Sequence, residues 1–362
     1  MIPVSQPSLN KEDIESLNNG IKGGWISSTS PSVKEFEKKW KDLNNQGDWL
    51  AVSNGTSAIE LALRAHGITN EKTVIVPDIT FAATINAVLN VGARPIICPV
   101  NKDLLICPNK LNQIINKQKV DAIIPVSLYN KDPDFNVLKS IRDKNITVIC
   151  DWAESNPLSE NAYKYWSMFT VTYSLFANKF ITTGEGGLVG FSSKEVFERA
   201  KSIRDHGMDS SKRYWHIMQG MNCRMTGIQA ILGISQLERL KSFIQKRVEI
   251  SEFYFEHLTN VKGIKYDKPN DVSNPPWINN IFLDDNYEEV DRDNLMKKLL
   301  ENGIETRPIF YPLHQMECYK NYKFNLNYNN SYKSLRGISL PTFCDISKEQ
   351  IKYICKQISF CL

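Results

Sequence analysis

VTYSLFANKFITTGEGGLVG, from Val171 to Gly190, sets a lysine between two apolar, β-branched runs. Tyr173–Phe176 reads as a strand, Gly-Glu-Gly-Gly at 184–187 as a turn, and Leu188–Phe191 as a second strand. A lysine on a tight connection inside a buried sheet is costly unless its amine is paired, neutralised or used covalently. Lys179 is therefore a candidate Schiff-base lysine. Taken alone, the stretch fits a surface hairpin with a snorkelling lysine better, so the rest of the chain has to decide.

The next informative stretch is WLAVSNGTSAIELALRAHG, where a short strand, Trp49–Val52, runs into Ser53-Asn54-Gly55-Thr56-Ser57 and then a helix over Ala58–Ala65. Free amides and the helix dipole make such a turn an anion site suited to phosphate. The spacing is neither a Walker A loop nor G-x-G-x-x-G, which argues against nucleoside triphosphates and dinucleotides. An ordinary N-cap by Ser or Thr reads equally well here.

From there strands and helices alternate: TVIVPD, helix Thr80–Leu89 with Phe81 on its first turn, ARPIICPV, helix Cys107–Lys117, DAIIPVSLY, helix Asp134–Lys144, and ITVICDWAES. Near-continuous apolar strands between helices imply an α/β fold with a mostly parallel sheet covered on both faces. Ligands in such sheets sit beyond the carboxyl ends of the strands. Asp151 stands at such an end, though a turn or N-cap role suits it too.

Composition narrows the function classes. A formal charge of +4, from 44 basic and 40 acidic residues without basic blocks, gives no nucleic-acid surface. No apolar run reaches the roughly 18 residues that a bilayer span needs, and the N-terminus shows no signal peptide. The cysteines contain no C-x-x-C pair and the histidines no H-x-x-x-H spacing. Neither a disulfide frame nor a metal site is expected, and a cytoplasmic location is.

Elsewhere, GGWISSTS carries Trp25 in a small-residue loop of the kind that contacts ligands or merely connects elements. Residues 206–226, rich in aromatic and basic side chains, are too long for a simple connector and read as a functional or interface segment. A boundary near 240 divides a large α/β unit, 1–240 with its N-terminal arm, from a small α+β unit, 241–362.

SNGTSAIELAL, VPDITFAATINAV, ICDWAES, YSLFANKFITTGEGG, GMNCRMTGIQAILGISQLERL, IETRPIFYPLH and RGISLPTF follow one another in an order that resembles the DegT/DnrJ/EryC1/StrS sugar aminotransferases, and within them the perosamine-forming branch. The resemblance covers essentially the whole chain. It implies the aspartate aminotransferase-like type I fold of enzymes dependent on pyridoxal 5'-phosphate. Lys179 would then carry the cofactor, Asp151 would pair with its pyridinium nitrogen and Phe81 would stack on its ring. Gly55, Thr56 and Ser174 would hold the phosphate. Asn222 would reach the cofactor of a neighbouring subunit, placing the site at a homodimer interface. Trp25, Arg307 and His314 would face the substrate.

The implied reaction is a ping-pong transfer of an amino group from L-glutamate to a keto sugar, with Lys179 as acid and base. A nucleotide-linked 4-keto-6-deoxyhexose, for surface polysaccharide synthesis, is the favoured acceptor. Glu154 stands where the family often has Gln or His beside the cofactor's phenolic oxygen, and a carboxylate there raises nearby pKa values. SNPLSENAYKYWSMFTVT and SLYNKDPD depart from the family's glycine-containing loops. They put the acceptor in question, with a small phosphorylated ketone as the alternative. A non-transaminating relative is the remaining reading, and retention of Lys179 and Asp151 speaks against it.

Overall fold

The computed structural model describes residues 1–44, 47–268 and 274–362. The chain runs α1 (Lys11–Lys22), α2 (Pro31–Asn44), β1 (Asp48–Val52), α3 (Gly55–Ala65), β2 (Thr73–Pro77), α4 (Ala82–Asn90), β3 (Arg94–Cys98), α5 (Pro108–Lys117), β4 (Ala122–Ile123), α6 (Phe135–Arg142), β5 (Thr147–Asp151), α7 (Glu160–Tyr165), β6 (Thr170–Ser174) and β7 (Gly187–Phe191). It continues through α8 (Lys194–Arg204), α9 (Gly227–Glu238), α10 (Leu240–Leu258), β8 (Ile264–Tyr266), β9 (Asn280–Leu283), α11 (Glu289–Glu301), β10 (Arg307–Pro308), β11 (Gly337–Ser339) and α12 (Lys348–Cys361).

Seven strands form one sheet in the order β1-β7-β6-β5-β4-β2-β3. All run the same way except β7, which pairs antiparallel with both β1 and β6. The reason is local: the 175–186 connection returns the chain directly, with no crossover helix, so β7 must run back beside β6. Successive strand residues enter different cores. Trp49, Ala51, Ile75, Val148, Cys150 and Val171 pack on one face, and Leu50, Val52, Val74, Val76, Ile149 and Val189 on the other. Two buried faces explain why these strands are apolar at every position.

DAIIPVSLY does not form one long strand. Its ladder covers only Ala122–Ile123, and Val126 adds an isolated bridge to Asp151. Pro125 lacks an amide to donate, and the chain turns away at Tyr129 and Asn130, which take φ of 52° and 64°. The segment after Asp151, SNPLSENAYKYWSMFTVT, forms α7 followed by a 3-10 turn at Trp166–Met168 before β6.

A second sheet, β10-β11-β9-β8, is antiparallel throughout. Its core joins Ile281, Leu283 and Ile338 to Tyr254 of α10 and Ile354 of α12. The N-terminal arm lies against this part of the molecule: Ile2 bridges Ile304, and the Val4 carbonyl accepts from the Thr342 amide.

The carboxyl ends of β1, β5 and β6 lie at the same end of the large sheet. Register puts Gly187 of β7 opposite both Val52 and Ser174, and Asp151 opposite Thr172.

Candidate active site

At that end lies a cavity of about 630 Å³, a size suited to a cofactor or small ligand. Its lining brings together Gly55, Thr56, Phe81, Asp151, Glu154, Ser174, Lys179 and Arg307.

One wall is the start of α3. Asn54 caps the helix by accepting from the Ser57 amide at 2.8 Å, and Gly55 and Thr56 open the first turn, whose amides have no intrahelical partner. The helix begins three residues earlier than the apolar pattern suggests, so the small residues belong to the helix end itself. Glycine is required here. A Cβ on Gly55 would stand 2.9 Å from the Ser174 Cβ, and one on Gly187 would stand 2.6 Å from the Asn54 carbonyl oxygen. The close approach of β7, β6 and the α3 turn leaves a cradle with polar edges and a positive helix end, which suits phosphate.

Asp151 closes β5 and is buried. Its Oδ2 accepts from the Thr84 hydroxyl at 2.8 Å and its Oδ1 from the Ala153 amide at 3.1 Å. Thr84 is in turn 2.8 Å from the Thr80 hydroxyl, one turn earlier at the start of α4. Burial raises the Asp151 pKa, while Thr84, the Ala153 amide and Lys179 pull it back. Phe81 is the N-cap residue of α4 rather than part of its first turn, with its ring exposed and in contact with Phe310.

Lys179 lies in the β6–β7 connection with its Nζ 3.7 Å from Oε1 of Glu154. The other oxygen of Glu154 accepts from the Tyr129 amide at 2.8 Å. Burial lowers the Lys179 pKa, and Glu154 and Asp151 oppose it. Burial raises Glu154 to about 7, with Lys179 opposing. Both members of the pair are thus pushed toward their neutral forms, the direction that favours an amine acting as nucleophile and proton carrier.

The rest of the cavity is aromatic. Trp277, Tyr129 and Phe310 stack in sequence, with centroids 5.8 Å and 5.6 Å apart. None of these three, nor Thr84, was visible as a site residue in the sequence. They come from separate connections with no shared periodicity.

The remaining candidates differ in where they lie. Arg307 lines the cavity rim, half exposed, 3.6 Å from Glu305. His314 is outside the lining. Its Nδ1 and amide both bond the buried Asp78 carboxylate, at 2.7 Å and 2.9 Å, and its ring stacks on Tyr328. It anchors the segment that delivers Phe310. Trp25 is half exposed beyond α1. Asn222 lies away from this chain's own cavity and accepts from the Arg224 guanidinium at 3.0 Å.

A helix N-terminus, a buried carboxylate, a partly buried amine and flat apolar walls suit a phosphorylated heteroaromatic aldehyde. A family model described as the DegT/DnrJ/EryC1/StrS aminotransferase family matches residues 7–359. The chain belongs to this aminotransferase family. It is 35% identical to GDP-perosamine synthase of Vibrio cholerae, over 99% of this chain and 98% of the relative. It is 36% identical to GDP-perosamine synthase of Escherichia coli O157:H7, with the same coverage. Among solved structures, a protein of Streptococcus pneumoniae described as a putative sugar aminotransferase, in its PLP-form, superposes with a TM-score of 0.91 at 25% identity, over 99% of this chain and 98% of that one. This DegT/DnrJ/EryC1/StrS aminotransferase therefore keeps the family fold end to end.

Proposed function

We propose that this aminotransferase uses pyridoxal phosphate to move an amino group from L-glutamate to a nucleotide-linked 4-keto-6-deoxyhexose, in synthesis of an amino-sugar polysaccharide. The observation that carries the reading is the convergence of Lys179, Asp151 and the α3 N-terminus on one cavity. The similarity to two GDP-perosamine synthases supports a sugar nucleotide as acceptor.

Bound cofactor supplies an electron sink that lets a proton leave the carbon bearing the amine. Gly55, Thr56 and Ser174 would hold its phosphate, and the Asp151 carboxylate, which accepts from Thr84, would pair with its ring nitrogen. Lys179 would hold the cofactor through Nζ, and the same amine, when free, would carry the proton to and from the amine-bearing carbon. Glu154 holds a proton near that amine or releases it according to pH. The aromatic walls exclude water and present flat faces to ring and sugar.

The same proposal takes the enzyme as a cytoplasmic homodimer, and residues 1–240 and 241–362 as its large and small units. Exposed Trp25, Ile26, Phe176, Tyr214, Trp215 and Ile217 form apolar surface that a second copy would cover. Asn222, in the same 206–226 segment, would then complete the partner's phosphate site. No described helix is long and apolar enough to cross a membrane.

Incubating the protein with pyridoxal phosphate, L-glutamate and GDP-4-keto-6-deoxymannose, with mass analysis of the sugar nucleotide, tests the reading. An amine in place of the ketone oxygen supports it. Amination of a small phosphorylated ketone alone would keep the reaction and replace the acceptor.

A further inference from the structure

The ring of Trp277 lies directly against the Lys179 amine, with Nζ 3.7 Å from its centroid. That distance equals the separation between the amine and its nearest carboxylate oxygen, on Glu154. The contact is not a chance rotamer, because Trp277 is tied to the lysine's own loop on two sides. Its indole Nε1–H donates to the Asn178 carbonyl at 2.7 Å. The buried Arg247 donates to the carbonyls of both Trp277, at 2.5 Å, and Lys179, at 3.5 Å. The opposite side is held from the large sheet. Asn130 donates to the Pro275 carbonyl at 2.5 Å and to Asn274 at 2.9 Å, and Asn156 donates to Asn274 at 3.1 Å. Tyr129 stacks on the indole.

The latch has a conformational cost. Tyr129 and Asn130 are consecutive non-glycine residues in the left-handed region, a state that costs about 1 kcal/mol or more each. Strain of this kind persists where surrounding contacts over-determine it. Here those contacts are the Tyr129 amide on Glu154, the Tyr129 ring on Trp277, and the Asn130 side chain on the Asn274 side chain and the Pro275 carbonyl. Asn130 of 127–134 and Asn156 of 155–172, the two segments read as departing from the family pattern, thus meet on the strip of chain that carries Trp277.

We propose that Trp277 is a positioning residue for Lys179: its ring face is the resting place of the amine whenever the amine is not bonded to the cofactor, holding it beside Glu154 and favouring its protonated form. A cation over an indole face in a desolvated site is stabilised by the ring quadrupole. The charged groups around the amine are Glu154 and Asp151, which favour the cation, and Arg247, which disfavours it; burial disfavours it most. The Tyr129 phenol, pushed upward by burial, stays neutral. Trp277 adds a cation-stabilising surface that carries no charge and does not itself titrate. The inference rests on Lys179 being the cofactor-bearing lysine.

Competitive acetylation of cofactor-free protein between about pH 6 and 10, with the Lys179 peptide quantified by mass spectrometry, reads the titration of this one amine. In Trp277→Leu, which keeps the site apolar, the midpoint is expected to fall by about one pH unit, making labelling about tenfold faster well below the midpoint. Trp277→Phe is expected to fall in between. A Trp277→Leu midpoint superposed on wild type, in protein with wild-type circular dichroism, overturns the inference, as does an upward shift. Should Trp277→Leu not fold, the Trp277→Phe midpoint decides in the same way. Capture of pyridoxal phosphate by the wild-type protein is measured separately. Failure of capture at Lys179 overturns the site reading itself, and is distinguishable because the acetylation midpoint needs no cofactor.

Discussion

Glu154 and Lys179 face each other at 3.7 Å, Glu154 buried and Lys179 partly buried, and Glu154 has its second oxygen fixed by the Tyr129 amide. Glu154 has a pKa raised from an ordinary 4.5 to about 7. A carboxyl whose folded-state pKa is raised contributes stability that is full below about 4.5 and lost as the pH rises through about 7. In cofactor-free protein, Glu154→Gln is expected to remove that loss. Melting temperatures measured from pH 5 to 8 should fall in wild type and stay flatter in the variant, a difference of at most about 3 kcal/mol.

Thr84 is expected to matter through Asp151. Thr84→Val removes the hydroxyl that donates to the carboxylate at 2.8 Å, a charged hydrogen bond worth about 1.5–3 kcal/mol. Cofactor affinity and kcat/KM should fall about 10- to 100-fold, while Thr84→Ser retains most of both. Equilibrium binding of pyridoxal phosphate and steady-state kinetics check this.

The glycine of the phosphate cradle is expected to resist any side chain. Gly187→Ala brings a Cβ to 2.6 Å from the Asn54 carbonyl oxygen, against backbone that cannot rotate aside. Thermal unfolding should show a loss of about 1–3 kcal/mol, accompanied by weaker cofactor binding because the α3 turn is displaced.

His314 is expected to behave as an anchor. His314→Ala leaves the fully buried Asp78 without its imidazole partner, and losing one hydrogen-bond partner of a buried polar group in this way costs about 1–3 kcal/mol. Chemical denaturation should show that loss. The KM for the amino acceptor is expected to change less than stability, since the imidazole does not line the cavity.

Much of the large sheet was legible because two buried faces make every strand position apolar, and because glycine, serine and aspartate mark the strand ends. Lys179, Asp151, Gly55 and Thr56 each carried a local signal, whereas Ser174 entered only through the family resemblance. The antiparallel course of β7 and the early end of β4 were less visible. They depend on a short return loop and on Pro125 together with the left-handed Tyr129 and Asn130. Trp277, Tyr129 and Phe310 carried no signal, since their stacking joins residues far apart in sequence. His314 sits in a motif that resembles a substrate-facing one, yet its contacts are with Asp78 and Tyr328.

The central claim, that Lys179 carries the cofactor of an aminotransferase, is tested most directly by the visible spectrum of purified protein with pyridoxal phosphate, before and after L-glutamate. The expected result is a cofactor band distinct from that of free pyridoxal phosphate, lost on adding L-glutamate with release of 2-oxoglutarate, and absent from Lys179→Ala. A wild-type spectrum that L-glutamate leaves unchanged, or a Lys179→Ala variant with full turnover, would contradict it.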